Sequence, residues 1–162
     1  MTLILVVDDV APVAEQYAYD LTRVGRHQTI VATSGRDALD VIARDAVDCV
    51  ILDLEMPGMD GFAVLRELAE RGVRVPVIVY TGTGSFERCV QAMKLGARGF
   101  IDKAEPIERV AQEIANQLER ARLEREVASL KQAVDDDTPL IGDSQAMRTL
   151  RDAIARVAPV PS

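Results

Sequence analysis

Apolar positions along the chain follow two alternating periods. Short, nearly continuous apolar runs are followed, five times over, by stretches in which apolar residues recur every three or four positions. Leu3–Val7 is the first run, suited to a central strand buried on both faces, and it ends in Asp8-Asp9. The helix behind it has Pro12 in its first turn and Val13, Tyr17, Leu21 and Val24 on one face, and it stops at Gly25. Residues 27–32 form a more mixed strand, nearer an edge. Ser34 caps the next helix, whose inner face is Ala38, Leu39 and Ile42. Strand 48–52 leads into Asp53, a Met56-Pro57-Gly58 turn and Asp60-Gly61; Phe62, Leu65 and Leu68 mark the helix that follows, to about Gly72. Strand 75–80 carries Pro76 near its start, where a missing donor matters least, and ends in Thr81-Gly82-Thr83-Gly84. Ser85 caps a helix to about Leu95. Strand 98–101 ends in Asp102-Lys103, and Pro106 opens a last helix with Ile107, Val110, Ile114 and Leu118 inward. Five β-α units without self-similarity predict an α/β fold, a doubly wound, five-stranded parallel sheet with helices on both faces.

Beyond residue 118 the pattern changes. Residues 119–132 are rich in strong helix formers with opposite charges at helical spacing. Leu123, Val127, Leu130 and Val134 form a short seam, out of phase with Ile114 and Leu118, which favours a dimerising coiled coil over a solvated extension. Asp135-Asp136-Asp137-Thr138-Pro139 is expected to break this helix. Ser144 then caps an amphipathic segment with Met147, Leu150, Ile154 and Val157 on one face, a stripe that one helix cannot bury alone. The expected organisation is a domain at 1–118, a helical linker at 119–137 and the beginning of a second domain at 138–162.

Composition narrows the function classes. A chain of 162 residues with 48% hydrophobic content has room for one full core and an appendage. A net charge of -7 argues against nucleic-acid or anionic-membrane binding. No apolar run approaches the ~20 residues that span a bilayer, and the start has no basic signal-peptide region. Cys49 and Cys89 fit neither a metal spacing nor a disulfide framework, so reduced, buried thiols in a cytoplasmic protein are expected.

The chemistry lies at the strand ends. Ligands bind outside the carboxyl ends of strands in such sheets, and four of the five bring a polar group there: Asp8 with Asp9, Asp53, Thr81 and Lys103. Two carboxylates at ~4 Å repel by about 4 kcal/mol at an effective dielectric of 20, so the cluster must protonate, pair with a cation or bind a metal. Hard oxygen donors without His or Cys point to Mg2+. Lys103 offers a point charge to one phosphate oxygen and the Thr81 hydroxyl a donor to another. A carboxylate nucleophile, a divalent ion, a lysine and a hydroxyl form a phosphoryl-transfer site of the kind in which a carboxylate becomes an aspartyl phosphate. His27, the one histidine, lies at the opposite end of its strand, which disfavours His-based catalysis. An aspartyl phosphatase would want Asp-x-Asp after the first strand, where Val10 takes the third place.

In this order and spacing, the acidic pair, the Asp-x-x-Met-Pro-Gly-x-Asp-Gly loop, the threonine and the lysine resemble a bacterial two-component response-regulator receiver domain over residues 1–118. The resemblance implies Asp53 as phosphoacceptor, a sensor histidine kinase as donor, and Mg2+ held by Asp9 directly, by Asp8 mainly through water, and by Asp53 and the Glu55 backbone carbonyl. It also implies Thr81 and Lys103 as phosphoryl-binding residues and Phe100 as the aromatic switch. The chain would accept a phosphoryl group rather than act as a turnover enzyme.

Leu140-Ile141-Gly142-Asp143-Ser144 with Met147, then Ile154 to Pro159, resembles the opening of the AAA+ ATPase domain of sigma-54-dependent activators. No nucleotide-binding Gly-x-x-x-x-Gly-Lys motif follows, so ATP hydrolysis by this segment is not expected. That resemblance implies a receiver and linker excised from a longer transcription activator, homodimeric through the linker or the face made by the fourth helix, fifth strand and fifth helix. A phosphorylation-independent docking module is the alternative. It is suggested by Ala104, which stands where the family usually has a proline after the lysine, commonly with a cis bond. A cis bond before a non-proline costs about 3–4 kcal/mol, which predicts a trans and differently shaped loop.

Overall fold

A computed structural model describes residues 2–82 and 86–137, with side chains as far as residue 132. The apolar runs form β1 (Leu3–Val7), β2 (Gln28–Ala32), β3 (Cys49–Asp53), β4 (Val77–Thr81) and β5 (Gly99–Asp102). All pairings are parallel, in the order β2-β1-β3-β4-β5. Side-chain alternation splits the core in two. Leu5, Val7, Val50, Leu52, Val77 and Val79 pack with residues of α2 (Gly35–Arg44) and α3 (Gly61–Glu70). Ile4, Val6, Ile51, Ile78 and Tyr80 pack with α1 (Ala11–Gly25) and α5 (Ile107–Asp137). The doubly wound sheet is as expected, and each buried Val, Leu or Ile side chain contributes roughly 1.5–3 kcal/mol to it.

Strand limits differ from the expected ones in a way that matters for the site. β3, β4 and β5 each extend one residue further, with Asp53 opposite Tyr80 and Thr81 opposite Asp102. Asp53 and Thr81 are therefore ladder residues, held by the sheet rather than by the loops.

Several helix details also shift. The face α1 buries is Ala14, Ala18 and Leu21, with Tyr17 partly buried; Val13 and Val24 are only half-buried. Two of the three buried positions are small alanines, which the apolar spacing alone did not reveal. The helix stops at Gly25 as expected, and Arg26 follows as a left-handed cap (φ 57°). A Cβ on Gly25 would come within 2.6 Å of the His27 ring, so that side chain would have to shift.

Ser34 caps α2 as expected, accepting from the Asp37 N–H at 3.1 Å. Val41 joins its inner face, and Ile42 is partly buried. α4 spans Phe86–Lys94, and its expected cap, Ser85, falls outside the described residues. In α5, Val110 and Ile114 are buried and Ile107 and Leu118 partly so. α5 runs to Asp137, into the 135–139 stretch expected to break it, and residues 138 and 139 lie outside the described residues. Aspartates cost at most about 0.7 kcal/mol each in helix propensity and do not by themselves end a helix.

Contacts separate a compact unit, Met1–Ala121, from a second beginning at Arg122. In the second, Leu123, Val127 and Leu130 are exposed; Val134 and the segment 138–162 lie outside the residues whose side chains are described. Among the described residues no helix is long and apolar enough to cross a membrane.

Candidate functional site

At the carboxyl edge of the sheet the structure brings Asp8, Asp9, Asp53, Thr81 and Lys103 together. Asp8 follows β1 and Asp53 ends β3; both are buried, as is Thr81, whereas Asp9 reaches solvent. One carboxylate oxygen from each of Asp8, Asp9 and Asp53 lies within 4.8 Å of the others. Lys103 closes the cluster, with Nζ 3.1 Å from Asp8 Oδ2 and 3.2 Å from Asp53 Oδ2. The remaining oxygens are tied to backbone, Asp8 Oδ1 accepting from the Val10 N–H at 2.9 Å and Asp53 Oδ1 from the Glu55 N–H at 3.1 Å.

The loop after Asp53 is built to hold this geometry. Met56 is buried, and Gly58 takes φ 75°, a left-handed conformation that side chains disfavour. Asp60 caps α3 through the Ala63 N–H at 2.9 Å, and the Gly61 N–H returns to the Leu54 carbonyl at 3.1 Å. A Cβ on Gly61 would stand 2.5 Å from the Asp53 carbonyl oxygen, so α3 starts this close to the strand end only because residue 61 is glycine. The Glu55 carboxylate leaves the cluster for Arg88 of α4, whose guanidinium also lies 5.9 Å from the centre of the Phe62 ring. Sequence reasoning assigned Glu55 a role through its carbonyl and missed this ion pair, which nothing in local spacing marks.

Lys103 is held at several points. Its N–H reaches the Thr81 carbonyl at 3.1 Å, and the Ala104 N–H reaches Asp102 Oδ1 at 2.8 Å. No cis peptide bond occurs among the described residues, so the Lys103–Ala104 bond is trans, as expected. This trans loop delivers Nζ to both buried aspartates.

Phe100 lies on the same side of the sheet as Thr81 and is partly buried against the α2–α3 core. Gly82 sits beside Lys103, where an added Cβ would make only an ordinary 3.8 Å contact with its stem. Cys49 is buried and its thiol is pushed up to about 12 by burial, partly offset by the Val50 N–H. Cys89 is only half-buried, contrary to expectation.

Two tyrosines that sequence reasoning treated as core belong to the site. The Tyr80 hydroxyl donates to Asp8 Oδ2 at 2.8 Å, and Lys103 Nζ lies 5.0 Å from the centre of its ring. Tyr17 packs against Tyr80, ring centres 4.9 Å apart, and donates to the Lys103 carbonyl at 3.2 Å. A tyrosine in a strand buried on both faces needs a partner for its hydroxyl, and that was the available signal.

Electrostatics follow from burial and pairing. Burial raises the Asp53 carboxyl above the usual carboxylate range, an effect the Glu55 N–H and Lys103 only partly offset. Burial works to lower Lys103, but the charges of Asp53 and Asp8 and their hydrogen bonds outweigh it and hold the ammonium above its ordinary value. Burial, reinforced by the Asp8 charge, pushes the Tyr80 hydroxyl far up, so it keeps its proton and can donate it to Asp8. Three oxygen donors with no His or Cys among them, one facing solvent, suit a hard divalent cation such as Mg2+.

A doubly wound sheet of this strand order, with an acidic cluster and a lysine across its central strand ends, is a receiver-type fold. Residues 4–115 match the response regulator receiver domain model. The chain is 34% identical over 156 residues to the regulatory protein LuxO of Vibrio cholerae, covering 94% of this chain and 33% of that one. It is 35% identical over 128 residues to the C4-dicarboxylate transport transcriptional regulatory protein DctD of Rhizobium meliloti, covering 77% and 28%. Among solved structures, NtrX from Brucella abortus in complex with ADP is 36% identical, with a TM-score of 0.74 over 99% of this chain and 35% of that one. The chain therefore belongs to the response regulator receiver family of two-component systems, and it spans about a third of the length of these curated relatives. Receiver domains of this family bind Mg2+ at an acidic pocket.

Proposed function

We propose that Asp53 accepts a phosphoryl group from the phosphohistidine of a sensor kinase in the cytoplasm, and that residues 1–118 use it to control a longer sigma-54-dependent transcription activator. The observation that carries this reading is Lys103 Nζ lying between Asp8 and Asp53, beside an oxygen cluster open to solvent at Asp9. Asp9, Asp53 and the Glu55 carbonyl would hold Mg2+ directly, and Asp8 through water. Mg2+, when bound, would neutralise charge on the transferring phosphoryl group and the mutual repulsion of the carboxylates. An Asp53 carboxylate oxygen attacks phosphorus; the new P–O bond forms as the P–N bond breaks, and its electron pair stays with the imidazole.

The Glu55 N–H orients Asp53 during attack. Lys103 then turns from the aspartates to a phosphoryl oxygen, and the Thr81 hydroxyl donates to another. Thr81 moving toward the phosphoryl group opens space on its side of the sheet for Phe100. That alters the face formed by α4, β5 and α5.

Output passes along α5 to the seam of Leu123, Val127 and Leu130, which are exposed in the single chain and would pair between two copies. Residues 119–137 would thus be a dimerising linker, with 138–162 opening the AAA+ domain that the linker restrains or releases. The test is incubation with Mg2+ and a small-molecule acyl phosphate, followed by intact mass. One added phosphoryl group, absent in Asp53→Asn, is expected; none under any donor would favour a phosphorylation-independent docking module.

A further inference from the structure

We propose that Tyr80 and Tyr17 are positioning residues for Asp8 and Lys103, an inference that rests on the phosphoacceptor reading of the site. The two act at opposite ends of the lysine.

Tyr80 works through Asp8. Its hydroxyl and Lys103 Nζ meet on one oxygen, Asp8 Oδ2, at 2.8 and 3.1 Å, while the Val10 N–H takes Oδ1 at 2.9 Å. Asp8 is fully buried, so losing a donor leaves its charge without compensation from water. Lys103 is the donor that must leave when it turns to a phosphoryl oxygen. Tyr80, at 1% exposure in a central strand, cannot follow it and keeps its bond to the same oxygen. Asp8 therefore keeps a donor and its orientation in both states, with part of its lone-pair capacity still open. The Tyr80 ring also faces the ammonium, at 5.0 Å from its centre, and limits where the lysine stem can settle.

Tyr17 works through the backbone. Lys103 is followed by Ala104, which leaves the dihedrals of that loop soft. The Tyr17 hydroxyl, reaching from α1, bonds the Lys103 carbonyl at 3.2 Å and so anchors the lysine at its root. The two rings pack at 4.9 Å, tilted by 57°, which couples the anchor at the carbonyl to the anchor at Asp8. A phenylalanine at either place would fill the core equally well and satisfy neither acceptor.

The experiment uses the full chain and two hydroxyl-deleting variants, Tyr80→Phe and Tyr17→Phe, each checked for wild-type unfolding behaviour. Mg2+ affinity is measured by calorimetry. In the metal-free chain, acylation of lysines by an amine-reactive reagent is followed by peptide mass, with Lys94 and Lys131 as internal controls. Tyr80→Phe is expected to bind Mg2+ about tenfold more weakly, as loss of a partner behind a metal-site carboxylate typically does. Both variants are expected to raise the acylation rate of Lys103 about threefold while leaving Lys94 and Lys131 unchanged. Folded variants with wild-type Mg2+ affinity and Lys103 reactivity would overturn the proposal, as would equal rises at all three lysines, the mark of general loosening. Phosphorylation of the wild-type chain is assayed alongside. Its absence would remove the phosphoacceptor reading, whereas the role of the tyrosines stands or falls on Mg2+ affinity and Lys103 reactivity.

Discussion

Among the three carboxylates of the cluster, Asp9 is the one that Lys103 does not bond. It stands within reach of two buried carboxylates. Neutralising it should relieve repulsion of roughly 1 kcal/mol once solvent screening is allowed for. Asp9→Asn is therefore expected to raise the denaturant midpoint without Mg2+ and to abolish the further rise that Mg2+ produces in the wild type. A midpoint that falls in the metal-free variant would contradict this account of the cluster.

His27, at the other end of the sheet, behaves differently. Burial lowers its imidazole below the ordinary value, against a smaller upward pull from Asp48. Folding then favours the neutral ring, so its contribution is complete above about pH 6.5 and is lost as pH falls from there toward the folded-state value. Unfolding measured between pH 7.5 and 5.5 should show a shallower loss of stability in His27→Gln than in the wild type; equal slopes would exclude the effect.

At the scale of elements, the β3–α3 connection is the most demanding piece of backbone. Gly58 and Gly61 are both required, for different reasons. Gly58 has φ 75° with nothing near its missing side chain, so Gly58→Ala should cost about 1 kcal/mol in conformational strain and leave the site alone. Gly61 meets backbone, at 2.5 Å from the Asp53 oxygen and 2.8 Å from Leu54 Cα, and backbone cannot turn aside as a side chain can. Gly61→Ala should cost about 1–3 kcal/mol and also slow phosphoryl uptake, because relief of the clash moves Asp53 itself. Comparing the two variants by unfolding and by intact mass separates strain from displacement. Equal uptake rates would show that α3 can retreat without disturbing the strand end.

At the scale of the whole molecule the open matter is self-association. Leu123, Val127 and Leu130 are 48%, 51% and 62% exposed, so pairing two copies has apolar area to recover. The recovery is modest, because such side chains contribute roughly 1.5–3 kcal/mol each only when fully covered, and association itself costs several kcal/mol. A weak, concentration-dependent dimer is expected by light scattering. Replacing Leu123 and Leu130 by serine should leave a monomer with unchanged phosphoryl uptake. An oligomer that survives this change, or that ignores a phosphoryl mimic, would separate the seam from signalling.

Much of the architecture could be read from the chain because its determinants are local. Five apolar runs and five helical periodicities specify a doubly wound parallel sheet, and the order acid pair, aspartate, threonine, lysine places one functional group at each of four strand ends. Ser34 and Gly58 were legible for the same reason, since capping and turn preferences act within a few residues. What tertiary packing decided is everything that depends on two distant segments meeting. Lys103 bridging Asp8 and Asp53, Tyr80 and Tyr17 serving the site from opposite elements, Arg88 drawing Glu55 away from the cluster, and the burial of Ala14 and Ala18 rather than Val13 and Val24 all arise from packing across the sheet. Propensity and spacing describe how one segment folds; they carry no information on which atom of a neighbouring segment will lie 3 Å away.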